Sequence, residues 1–150
     1  LLAPELLASH THRGDHLAVG RAGLLQAEEH AGDVGGAWHY FGGSFDLAER
    51  VMDMGFNISL AKTLLRDETL QRVAVQLPMD KVVIETDCYP QSFKKNPLRR
   101  TEPWHLPQVA EKLAVLQGID IETVAEVTTA NYLRMLHGRV NAASLPFAIN

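Results

Sequence analysis

The chain has 150 residues, 46% of them hydrophobic, which is enough for one buried core. With 18 acidic and 14 basic residues its formal charge is -4, so the total gives no ground for broad nucleic-acid affinity, although a local basic patch still could. A single cysteine, Cys88, excludes an intrachain disulfide framework and suits a cytoplasmic, reducing location; no apolar run is long enough to span a bilayer.

The chain opens on Leu1, Leu2, Ala3 and Pro4, without an initiating methionine or the order of a signal peptide, and is expected to be a fragment or a processed chain. Residues 6–9 form a short apolar run that predicts a strand, with His10 at its carboxyl end. His10, His12 and His16 cluster around Arg13, Gly14 and Asp15. In an extended segment His10 and His12 share a face, and neutral imidazoles beside an aspartate suit zinc or a similar metal. The alternative is a polar loop with exposed histidines. Residues 17–30 predict a helix weakened by Gly20 and Gly23.

Residues 37–41, Ala-Trp-His-Tyr-Phe, predict a strand followed at once by Gly42, Gly43 and Ser44. His39 sits among aromatic residues, so core packing is one reading of it; the diglycine suggests a close approach of backbone to a ligand. Ser44 is placed to cap a helix over 45–54, whose methionines are core filler. Residues 56–60 predict a strand, and 61–66 a loop with Lys62 and Arg66 available to an anion. Asp67 begins a helix through Gln76, which Pro78 ends.

Val82, Val83 and Ile84 then run straight into Glu85, Thr86 and Asp87. The run does not alternate, which predicts a strand covered on both faces. Chemistry in parallel sheets sits past the carboxyl ends of the strands, so Asp87 is a candidate metal ligand or general base; the alternative is a turn cap. Glu85, taken to face away from Asp87 on a regular strand, is expected to hold structure or to support the ligands from behind. The alternation of strand and helix predicts an α/β fold with a parallel sheet.

Residues 88–103 are irregular and basic, with Lys94, Lys95, Arg99 and Arg100 near Tyr89, Phe93 and Trp104. Such a mixture suits phosphate binding and base stacking, or simply a solvated loop. A helix is predicted over 106–117 with Gly118 as its C-cap, a short one from Ile121 to Ala125, and a last helical turn at 132–136. The tail over 140–150 shows no periodicity.

Four of these stretches together resemble the TatD family of metal-dependent hydrolases. Residues 38–44 are similar to its His-Cys-Phe-Ser-Gly signature, Glu85-Thr86-Asp87 to its Glu-Thr-Asp, Arg100-Thr101-Glu102-Pro103 to its Asn-Glu-Pro step, and residues 124–136 to its closing Thr-x-Asn segment. The similarity runs from about His10 to about Leu136, with Tyr40, Gly43 and Thr101 departing from the family pattern.

The resemblance implies part of a TIM-like (β/α) barrel, its strands five to eight, over residues 1–139, followed by an irregular tail over 140–150. It implies divalent metal (magnesium, manganese or zinc) held by His10, His39 and Asp87, with His12 as the alternative to His10. Asp87 would also take a proton from the attacking water, and Glu85 would stand behind the ligands. Lys94, Lys95, Arg99 and Arg100 would bind phosphate. The implied activity is phosphodiester or DNA hydrolysis. Because the family's first-strand histidines and fourth-strand glutamate are absent, the chain alone is expected to be weakly active or inactive, to need the missing amino-terminal half, and to self-associate through bare sheet edges. The rivals are amide, ester or lactone hydrolysis on a related barrel, and a non-catalytic truncated product. No membrane partner is expected.

Overall fold

The computed structural model describes residues 36–88 and 100–136. They belong to one compact unit that runs over Gly35–Asn150. The predicted strand at 6–9, the helix over 17–30, His10, His12, Lys94, Lys95, Arg99 and the tail over 140–150 lie outside the described residues.

Three short strands pair in parallel in the order β1 (Ala37–Trp38), β2 (Asn57–Leu60) and β3 (Val82–Ile84). Trp38 stands opposite Ile58, and Ile58 opposite Val82. In β2, Ile58, Ser59 and Leu60 are all buried, so both faces of the middle strand are covered and the sequence need not alternate.

Helix α1 (Phe45–Asp53) starts at Ser44, whose hydroxyl accepts from the Leu47 N–H, and buries Ala48 and Val51. Helix α2 (Glu68–Ala74) is capped by Asp67, whose Oδ1 accepts from the N–H groups of Thr69 and Leu70 at 2.9 and 3.0 Å. Helix α3 (Leu106–Gln117) buries Val109, Ala110, Leu113 and Ala114 and stops at Gly118, which takes the left-handed φ of +67° that a glycine adopts without strain. Helix α4 (Ile121–Met135) is capped by Asp120. Among the described residues no helix is long and apolar enough to cross a membrane.

The structure corrects three expectations. The first is the barrel portion built from strands five to eight. The described residues form an open three-stranded parallel sheet in which β1 and β3 each pair only with β2. Closure requires every strand to have two hydrogen-bonded neighbours, which three strands in a row do not give. The second is the pair of short elements predicted near the carboxyl end, which are one continuous 15-residue helix. Val124, Thr128 and Asn131 line up at helical spacing and are buried together, and that packing overrides the weak helix preference of Thr and Asn. The third is the loop at 61–66, which contains a 3-10 turn over Lys62–Leu65.

At the amino ends of the strands Asn131 ties α4 to the turn before β3. Its Nδ2 donates to the carbonyls of Met79 (2.7 Å) and Val82 (2.6 Å), and its Oδ1 accepts from Arg134. Arg134 also donates to the Asp80 carbonyl. Asp80, Asn131 and Arg134, with Asn57 and Lys81, line an open cavity of about 310 Å³.

Candidate active site

The opposite end of the sheet gathers a different kind of polar group. Strand β1 stops after Trp38, and His39 and Tyr40 form a turn in place of the predicted continuation. The Phe41 N–H then returns to the Ser59 carbonyl at 3.0 Å, and the Phe41 ring is buried. His39 and Tyr40 are thereby lifted out of the strand between two fixed points. On the far side of β2 the Glu85 N–H donates to the Leu60 carbonyl at 3.0 Å, extending β3 by one residue before the chain turns at Asp87.

Tyr40 (φ +53°) and Asp87 (φ +51°) are the non-glycine residues in the left-handed region among those described. Tyrosine pays a steric cost there, while aspartate tolerates it better. Both outliers fall at carboxyl ends of strands, where backbone strain commonly accompanies function.

One carboxylate holds this turn. Glu85 Oε1 accepts from the Tyr40 N–H at 2.8 Å, and Glu85 Oε2 lies 2.8 Å from His39 Nδ1. Asp87 Oδ1 lies 3.3 Å from the other ring nitrogen, Nε2. The His39 ring therefore stands between two carboxylates, and its side chain is 58% exposed, so it is not packed in the core. If Nδ1–H donates to Glu85, the Nε2 lone pair faces an anionic oxygen. Two electron-rich atoms at that distance need a positive charge between them, either a proton on the ring or a cation.

Glu85 and Asp87 thus act from the same side. Both acids reach the His39 ring, because the chain turns at the left-handed Asp87, so the expectation that Glu85 faces away from Asp87 is not met. The structure brings His39, Glu85 and Asp87 together and shows Arg100 half-buried on the segment that returns to α3. Among the described residues, no three His, Cys, Asp or Glu groups are arranged to hold one metal ion. His39 lies between the two acids, so the three donors do not surround a common point.

The diglycine has a packing reason. A Cβ on Gly43 would stand 2.5 Å from Leu47 Cδ2 and 3.0 Å from Phe41 Cζ, while one on Gly42 would meet open space. Gly43 lets α1 close on the Phe41 ring.

Two features went unread in the sequence. One is the Tyr40 N–H as a partner of Glu85, which depends on the turn. The other is His105, whose Nδ1 accepts the Glu102 N–H at 3.0 Å. The three-residue spacing from Glu102 to His105 is that of a capping box, and could have been recognised.

Residues 9–137 match the model of a family described as TatD related DNase. The uncharacterized metal-dependent hydrolase YcfH of Escherichia coli (strain K12) is 33% identical over 141 residues, covering 89% of this chain and 49% of YcfH. The uncharacterized metal-dependent hydrolase YabD of Bacillus subtilis (strain 168) is 35% identical over 119 residues, covering 76% of this chain and 45% of YabD. The crystal structure of YJJV, a TatD homolog from Escherichia coli K12, superposes with a TM-score of 0.68 at 21% identity, over 78% of this chain and 46% of that one. The chain spans about half the length of the curated relatives it matches.

Proposed function

This chain belongs to the TatD-related DNase family, and from that premise we propose that it carries part of the site of a metal-dependent phosphodiesterase acting on DNA. The observation that supports this most is the gap between His39 Nε2 and Asp87 Oδ1. Two donors each about 2.1 Å from one divalent ion, at tetrahedral or octahedral angles, stand roughly 3.0–3.4 Å apart. The separation here is 3.3 Å, and the donor types, imidazole and carboxylate, suit such an ion.

His39 and Asp87 are the ligands this segment offers, with His10 or His12 as a further one. Glu85 orients the ring by accepting from Nδ1, and is itself held by the Tyr40 N–H. That carboxylate–histidine pairing fixes the ring tautomer and leaves Nε2 free to coordinate. A divalent ion bound there supplies a polarised phosphoryl oxygen and a more acidic water. The free oxygen of Asp87 accepts the proton of the attacking water. Arg100, with Lys94, Lys95 and Arg99, holds substrate phosphates. The exposed, free Cys88 accords with a reducing cytosol.

The test is turnover by the full-length protein with magnesium, manganese or zinc, across DNA, simple phosphodiesters and carboxyl esters. Metal-dependent cleavage of phosphodiesters is expected. Turnover of carboxyl esters or amides with no phosphodiester cleaved would replace this reading by its hydrolase rival.

A further inference from the structure

Lys62 lies two residues past the end of β2, at the same end of the sheet as His39, Glu85 and Asp87. Strand β2 is the middle one, so its carboxyl end, where Lys62 follows, stands about one strand spacing, roughly 5 Å, from those of β1 and β3. Its backbone is fixed on both sides, because Ala61 and Leu64 are fully buried.

The Lys62 ammonium lies 3.1 Å from His105 Nδ1. That same nitrogen accepts the Glu102 N–H at 3.0 Å. An ammonium and an amide N–H can only donate, so Nδ1 carries a lone pair and His105 is the neutral tautomer with its proton on Nε2. The neutral ring gives the ammonium a direction but no counter-charge. Among the described residues no carboxylate lies within ion-pair distance of Lys62, whereas both acids of the neighbouring cluster face His39. Lys62 is half-buried, so it has lost part of its water without gaining an anion. His105 engages one of its three N–H donors and leaves two for a ligand.

We infer that Lys62 is a phosphate-positioning residue, aimed by His105, that grips a phosphate next to the scissile one. This rests on the phosphodiesterase reading above and adds to it a residue outside the metal cluster. A lysine suits the task because it offers a point charge on a flexible stem, which arginine can replace in charge. The competing role is a stitch that ties the 3-10 turn to the segment before α3.

Two probes separate these roles in the full-length protein: a fluorescein-labelled single-stranded decanucleotide, which has flanking phosphates, and bis(p-nitrophenyl) phosphate, which has none. Lys62→Ala should raise KM for the decanucleotide about tenfold with kcat within about twofold. It should leave turnover of bis(p-nitrophenyl) phosphate within about twofold. Decanucleotide binding measured without divalent metal should lose about 0.7 from the slope of log affinity against log salt, one phosphate contact on a single strand. Lys62→Arg should recover most of both effects. A Lys62→Ala protein with a lowered Tm, but an unchanged KM and salt slope, would make Lys62 a stitch and overturn the inference. So would a wild-type protein that does not bind the decanucleotide. A wild type that binds it but cleaves no phosphodiester would sink the proposed function instead, and the salt slope would still judge Lys62.

Discussion

The two ends of this sheet use the same residue types differently. At the amino ends Asn131 and Arg134 direct their donors to backbone carbonyls of Met79, Asp80 and Val82. Every polar atom of the Asn131 side chain is satisfied, and the residue is 1% exposed. At the carboxyl ends His39, Glu85 and Asp87 direct polar atoms at one another, remain partly exposed, and sit beside two left-handed residues. A cluster that holds backbone gives stability, since losing it leaves buried carbonyls unpaired. At the second end only Glu85 holds backbone, through the Tyr40 N–H, and the facing atoms of His39 and Asp87 can exchange each other for a ligand. An open cavity lies at the first end, and the exposed His39 cluster at the second.

Substitutions should separate the two ends. The largest effect is expected at the carboxyl end and on activity alone. His39→Ala or Asp87→Asn in the full-length protein should lower turnover about a hundredfold or more while Tm holds within a few degrees. Asparagine suits this test because it tolerates the left-handed backbone at Asp87. Unfolding of both variants would erase the contrast. At the other end Asn131→Ala should cost about 2 kcal/mol by chemical denaturation, because the buried Val82 carbonyl loses the amide that donates to it, while the Met79 carbonyl keeps the Val82 N–H. Its remaining folded fraction should keep its specific activity. Gly118→Ala should cost about 1 kcal/mol, from the left-handed φ at the end of α3.

The smallest effect is electrostatic. The Thr123 N–H, followed by its hydroxyl, holds the Asp120 carboxyl below its ordinary value. A folded value below the unfolded one gives stability that is present above the unfolded value and fades as pH falls through the folded one. The Tm difference between wild type and Asp120→Asn should therefore be constant above about pH 5 and shrink below the ordinary value of 3.8. A difference that grows in acid would show that the cap charge is not the cause.

Much of this was legible in the residues. The valines and isoleucine before Glu85, the glycine after α3 and the helix starts at Ser44 and Asp67 depend on local rules, and the elements they mark are present. The closing helix read as two pieces, with Thr129, Ala130 and Asn131 leading into the last turn; the helix runs on through them because Asn131 is tied to the turn before β3. The barrel was carried over from a resemblance, and the described residues form only an open sheet. His39 and Asp87 were visible as chemistry-bearing residues at strand ends. The grip of Glu85 on both the His39 ring and the Tyr40 N–H was not, because it depends on a backbone turn with positive φ that nothing in Tyr40 announces.

Divalent metal bound per full-length protein, measured by mass spectrometry for wild type, His39→Ala and Asp87→Asn, tests the central claim most directly. If the His39–Asp87 gap is a metal edge, both variants should lose bound metal while their folded structure, followed by circular dichroism, is retained. Full occupancy in both variants would contradict it, and would make the pair a surface hydrogen-bonded turn.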